Sequence, residues 1–171
     1  MGAPVTQCWI VFCPEKRHPG LWGCWRDGNC VAIGWPTRKY FEAREKDGWG
    51  MARSCLERMK GGDVVVPYLG DFRLGIPGRI KAFHVEDHEW HPTTSITKSR
   101  PKGDLGRRID VEWRKEGVPD PDKIVHIPKT ARNGPVTRPT LRSLKPEHYE
   151  DLLGYILNSA NWIDYPERHR A

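Results

Sequence analysis

The chain has 171 residues, 37% of them hydrophobic, with five cysteines and eight tryptophans. That length suits one domain, 1–171, able to bury a core without disulfides or a structural metal, and no stretch approaches the roughly 20 apolar residues of a membrane-spanning helix. Lys and Arg number 28 against 22 Asp and Glu, a formal net charge of +6, a mild excess that suits a polyanionic partner without requiring one.

The opening "MGAPVTQCWIVFCPEKRHPG" has too short an apolar part for a signal peptide, so an intracellular, cytoplasmic protein with no membrane partner is expected. Cys8, Cys13, Cys24, Cys30 and Cys55 are odd in number and include no C-x-x-C pair, which favours reduced, partly buried thiols over a zinc ribbon or a disulfide framework. Eight tryptophans exceed what packing needs, because Leu, Ile and Val fill a core without an indole N–H to satisfy. Some are expected to be surface tools.

In chain order, "CWIVFCP" (8 to 14) is β-rich and closes on proline, predicting a first strand with Cys8, Ile10 and Phe12 on one face and Trp9, Val11 and Cys13 on the other, both buried. "EKRHPGLWGCWRDGN" reads as a loop carrying Trp22 and Trp25. "CVAIGWP" predicts a second strand whose apolar run stops at Gly34, with Trp35 at its end and basic Arg38 and Lys39 following. Met51, Cys55, Leu56 and Met59 recur at helical spacing before Gly61 and Gly62, a C-terminal stop.

"GDVVVPYLGDFRLGIPGRIKAFHVED" predicts two or three strands, with Pro67 at an edge or bulge and bends at Gly70, Gly75 and Gly78. "HEWHPTTSITKSRPKGDL" (88 to 105) reads as a long surface loop. "RRIDVEWRKEG" (107 to 117) alternates, with Ile109, Val111 and Trp113 inward and Asp110 and Glu112 outward. A Pro-rich connector then leads to a closing helix over 145–160, with Pro146 in its first turn and Tyr149, Leu152, Leu153 and Ile156 as its apolar stripe. Strands dominate and glycine marks bends, which suggests a curved α+β barrel.

Four stretches in this order, "GNCVAIGWP", "KGGDVVVPYLGDFRLGIPGRI", "GRRIDVEWRKEGVP" and "GPVTRPTLRSLKPEHYEDLLGYI", resemble the PUA-like EVE modules at the front of McrB-type, modification-dependent restriction systems, which are themselves similar to YTH domains. The resemblance implies an α+β fold, a curved, mostly antiparallel PUA-like β-barrel with flanking helices. It also implies a non-catalytic reader that flips a modified base into an aromatic cage. The implied partners are nucleic acid, DNA before RNA, and a nuclease or NTPase effector on the same polypeptide or a separate chain. No cofactor is implied.

Indole faces stack on a flat base and exclude water, worth roughly 1–3 kcal/mol per base, against a flipping cost of a few kcal/mol. Trp22, Trp25 and Trp35 are the first cage candidates, followed by Tyr68 and Trp90; Trp9, Trp113 and Trp162 are expected in the core. Asp71, on the "YLGDF" turn, either accepts a hydrogen bond from an exocyclic amine or stabilises its turn. Arg26, Arg38 and Lys39, and along the long loop Lys98, Arg100, Lys102, Arg107 and Arg108, are candidate phosphate contacts, which position a strand without specifying a base.

Two alternatives stand beside this reading. His84, Asp87, His88 and His91 in "HVEDHEWH" are capable metal ligands and would suit a small metal-assisted hydrolase or nuclease. On a continuing strand, however, His84 and His88 point one way and Asp87 and His91 the other. The second alternative is a PUA-like RNA-binding module with no modification preference. No G-x-S-x-G, P-loop or H-E-x-x-H occurs.

Overall fold

A computed structural model describes residues 6–16, 19–33, 54–85, 107–128 and 141–165. In chain order these form strand β1 (Cys8–Phe12), helix α1 (Leu21–Asp27), β2 (Cys30–Ile33), a helical segment at 54–58, β3 (Val64–Gly70), β4 (Arg73–Leu74), β5 (Gly78–Val85), β6 (Arg107–Trp113), β7 (Lys123–His126), β8 (Leu141–Leu144), helix α2 (Pro146–Ile156), a 3₁₀ turn (Ser159–Asn161) and β9 (Trp162–Asp164). The class is α+β with one mostly antiparallel sheet. Among the described residues the strand order runs β2-β6-β5-β3-β4-β7-β9, with β1 and β8 branching from β3, and the sheet does not close.

Strand β3 is the hub. Along one edge it pairs in parallel with β1, from Cys8 opposite Val64 to Phe12 opposite Tyr68. Its other edge is shared: β5 pairs at Val64 and Val65, then β4 takes over at Tyr68 and Gly70. Pro67 sits at the changeover. Its carbonyl accepts from the Gly75 N–H at 3.0 Å, so its missing N–H faces the same edge, where the strand changes partner and a donor is least needed. The edge or bulge expected of Pro67 is thus a fork inside the sheet.

The period-two pattern of β1 sorts its residues between two cores, as expected. Trp9, Val11 and Cys13 join Leu21, Trp22 and Trp25 of α1 and Ile109, Val111 and Trp113 of β6. Cys8 and Ile10 join Val64, Val66 and Tyr68 under Leu152 and Ile156 of α2, with Phe12 packed alongside. The alternation expected of β6 holds, with Asp110 half-buried and Glu112 exposed. Helix α2 has Pro146 in its first turn, as expected, but ends at Ile156, short of the expected 160, and of its expected stripe Leu152 and Ile156 are buried while Tyr149 and Leu153 are half-buried.

Three expectations are corrected. The stretch carrying Trp22 and Trp25 is a helix, because Leu21, Trp22 and Trp25 form one apolar face and the start of the helix is held by Glu15, whose carboxylate accepts from the N–H groups of Gly20 and Trp22. The Pro-rich connector contains β7, and β8 precedes α2; both are short strands whose partners are distant in sequence. Of the five tryptophans among the described residues, four are packing: Trp9, Trp22, Trp25 and Trp113 are all at most 4% exposed. Trp113 donates its indole N–H to the Trp25 carbonyl at 2.9 Å and meets Trp22 edge to face at 5.0 Å. Trp9 donates to Asp63 at 3.0 Å.

Candidate functional site

Because β1 and β3 run in parallel, their carboxyl ends finish side by side. There Phe12 and Tyr68, register partners, place their rings 6.2 Å apart with planes 44° to one another. Beyond β1 the Cys13 N–H donates to the Tyr68 carbonyl at 2.8 Å, the chain buries Glu15, and Lys16 emerges exposed. Beyond β3 the chain reverses through Gly70, Asp71 and Phe72 with φ of 88°, 51° and 59°. Only glycine takes that region freely, and phenylalanine there is strained. The Phe72 N–H donates to the Tyr68 hydroxyl at 3.4 Å, tying the reversal to the aromatic pair.

Between these two chain ends lies a cavity of about 360 Å³, lined by Phe12, Pro14, Lys16, Tyr68, Gly70 and Asp71, among others. That volume lies at the small-molecule end of the range for binding pockets. Its walls are aromatic. Its rim carries one acceptor-only group, the Asp71 carboxylate, and one donor-only group, the Lys16 ammonium. Among the described residues neither has a hydrogen-bonding or ion-pair partner. The arrangement can hold a flat, partly polar group, with one ring stacked beneath it and the other meeting its edge.

Of the residues expected in a site, Tyr68 and Asp71 meet here. Asp71 lies in a turn, as its alternative reading has it, and among the described residues its carboxylate has no hydrogen-bond partner. Trp22 and Trp25 do not line this cavity; both are buried in the larger core, their indole N–H groups without hydrogen-bond partners among the described residues. Arg26 does not project as a free phosphate contact, since its guanidinium donates to the carbonyls of Pro119 and Asp120, each at 2.9 Å. That bond pair ties α1 to the turn before β7. Arg107 and Arg108 have their backbones within β6, between β2 and β5. Trp35, Trp90, Arg38, Lys39, Lys98, Arg100 and Lys102 lie outside the described residues.

Phe12 and Lys16 are the site residues that sequence reasoning passed over. The signal for Phe12 was present: an aromatic residue on the Cys8 and Ile10 face, at the last position of a strand that ends in proline.

Of the four candidate metal ligands, His84, Asp87, His88 and His91, only His84 lies among the described residues, with its backbone in β5. Among the described residues no group of three or more His, Cys, Asp or Glu side chains is placed to hold a metal ion.

The thiols behind the site are quiet ones. All five cysteines are free. Burial, aided by Asp63 and Glu150, pushes the Cys8 thiol up to about 11, and burial beside Glu15 raises Cys13 as well. Burial and its bond to Glu15 also raise the Tyr165 hydroxyl. Each group favours its neutral form more strongly when folded. Their contribution to stability is therefore complete below the ordinary thiol value near 9 and is lost progressively above it, through about 11 for Cys8 and further for Cys13 and Tyr165. The unfolding free energy from urea titrations should be flat from pH 7 to 8.5 and then fall, by on the order of 2 kcal/mol near pH 11 from Cys8 alone and by more with Cys13 and Tyr165. A free energy unchanged at pH 10.5 would show that these groups are not held neutral by the fold.

The fold and cavity define an α+β protein whose forked, mostly antiparallel sheet carries an aromatic pocket with a polar rim. Compared with known proteins, the chain matches no protein-family model and no curated protein. Among the described residues no helix is long and apolar enough to cross a membrane.

Proposed function

We propose that this chain is a non-catalytic reader of a modified base in nucleic acid, an EVE-like, PUA-related module. In this reading a base turned out of the strand lodges against Phe12 and Tyr68, and binding delivers specificity to a nuclease or NTPase effector on the same polypeptide or another. The observation that carries the proposal is the cavity at the paired ends of β1 and β3, where two aromatic rings stand beside a carboxylate and an ammonium that have no partner among the described residues. Two register shifts, between Tyr68 and Gly70 and between Ile80 and Ala82, are the devices by which sheets are curved toward a barrel.

The energetics suit that task. One stacked ring contributes roughly 1–3 kcal/mol, comparable with the few kcal/mol of unstacking. A methyl group buried against the second ring adds about 0.8 kcal/mol, enough to favour a methylated base several-fold. Asp71 accepts from an exocyclic amine, which both cytosine and adenine carry, and Lys16 faces the phosphate side.

The test is a binding panel over methylated and hydroxymethylated cytosine and methylated adenine, each in single- and double-stranded form and at several salt concentrations. Phe12→Ala should lower affinity for the preferred modified base about tenfold or more, leaving a weak, salt-sensitive background. Asp71→Asn should erode preference between bases while changing that background little. Trp35→Ala in the same panel reports on the wall expected from sequence. Wild-type affinity that ignores salt, or that is equal for every modified and plain base, overturns the reader.

A further inference from the structure

A second cavity, about 480 Å³, opens at the opposite end of β3, where the start of β5 and the end of β6 meet α2. Its floor includes Val64, Pro77 and the buried ring of Trp113, and its rim carries Arg79, Arg114 and Lys115. Two carboxylates share the rim, Glu112 and Glu116, but Glu112 is already paired with Lys81 at 2.9 Å. Cations therefore prevail. The Arg79 guanidinium donates to the Gly62 carbonyl and that of Arg114 to the Glu116 carbonyl, each at 3.3 Å. Each bond orients a planar fork whose remaining N–H groups have no partner among the described residues. Tyr149 of α2, half-buried, adds a hydroxyl that likewise has no hydrogen-bond partner there.

Donors thus converge on a groove with few free acceptors, above an apolar floor. Arginine forks match the oxygens of a phosphodiester, and an apolar floor suits the face of a sugar. We propose that this groove holds backbone phosphates of the same nucleic acid whose base enters the aromatic pocket, through Arg79, Arg114, Lys115 and Tyr149. The proposal rests on the nucleic-acid reading above and adds a contact surface that reading does not contain. From Val64 to Tyr68, β3 separates the two sites by roughly 13 Å, which corresponds to about four nucleotide steps of a duplex strand. Contacts in the groove position the strand, so they carry no base preference.

The experiment measures how the dissociation constant of a plain duplex, longer than that footprint, depends on salt, for wild type, R79Q/R114Q, K115Q and Y149F. These positions lie outside both cores or, for Tyr149, at the edge of one, and a melting curve on each variant verifies folding. R79Q/R114Q should weaken binding about tenfold or more and flatten the salt slope by about two, K115Q by about one, equally for modified and plain sequences. Y149F should weaken binding a few-fold with the slope unchanged. A wild type that binds but whose slope and affinity survive in both R79Q/R114Q and K115Q overturns the groove and leaves the reader standing. A wild type that binds no oligonucleotide overturns both. A loss confined to one modified base overturns the groove, since it would make these residues specificity contacts.

Discussion

Replacing Glu15 by alanine should destabilise the protein by on the order of 3–5 kcal/mol, seen as a melting temperature lower by on the order of 10 °C. The residue is 1% exposed, and its carboxylate closes a network between three parts of the chain. It accepts from the Gly20 N–H at 3.0 Å, from the Trp22 N–H, and from the hydroxyl of Tyr165. Tyr165 in turn accepts from the Gly23 N–H at 3.0 Å. Truncation leaves these donors buried without an acceptor, the costly direction of losing a hydrogen bond. Glu15→Gln is the sharper probe, because its shape is kept while one acceptor oxygen becomes an NH₂ facing another donor; a loss of about 2 kcal/mol is expected. If both variants melt within a degree of wild type, the carboxylate is not what holds α1 and Tyr165 together. Because Lys16 follows Glu15 directly, a destabilised network should also weaken the nucleic-acid binding proposed for the aromatic pocket.

Gly78→Ala should be comparably damaging, for lack of space. A Cβ there would stand 2.4 Å from Val111 Cγ1, 2.6 Å from Trp113 Cε3 and 3.0 Å from the Glu112 carbonyl. Trp113 cannot yield easily, since its indole N–H is bonded to the Trp25 carbonyl and its ring meets Trp22 edge to face. An overpacked core of this kind costs about 3 kcal/mol. Gly62→Ala makes the control for added bulk alone: nothing lies within 4 Å of the Cβ position, although its φ of 90° brings a backbone penalty of about 1 kcal/mol. Should Gly78→Ala prove milder than Gly62→Ala, the contact between β5 and β6 is looser than these distances describe.

How much of this could be read from the residues alone varies by element. The two faces of β1, the alternation of β6 and the proline-started stripe of α2 were legible, because in each the apolar period matches the period of the structure and long contacts only reinforce it. Helix α1 was not. Gly20, Gly23 and Gly28 give it the composition of a loop, and its helical form depends on Glu15, on Tyr165 and on Trp113, which bonds the Trp25 carbonyl from 88 residues away. Strands β7, β8 and β9, three or four residues each, are too short to show a period and exist through their partners.

Of the candidate site, sequence determined the residue types: an aromatic and an acid close together in "YLGDF", and a glycine-marked reversal beside them. That Trp22 and Trp25 are packing was decided by tertiary structure, because an indole is equally at home against a base or against another core ring, and only burial separates the two. The structure also paired Phe12 with Tyr68 and set Lys16 opposite Asp71, since these residues are more than fifty positions apart and meet only through the parallel pairing of β1 with β3. Parallel strands carry no mark of their partner in a local pattern. Their register is set by the whole sheet, and so was the pocket at their ends.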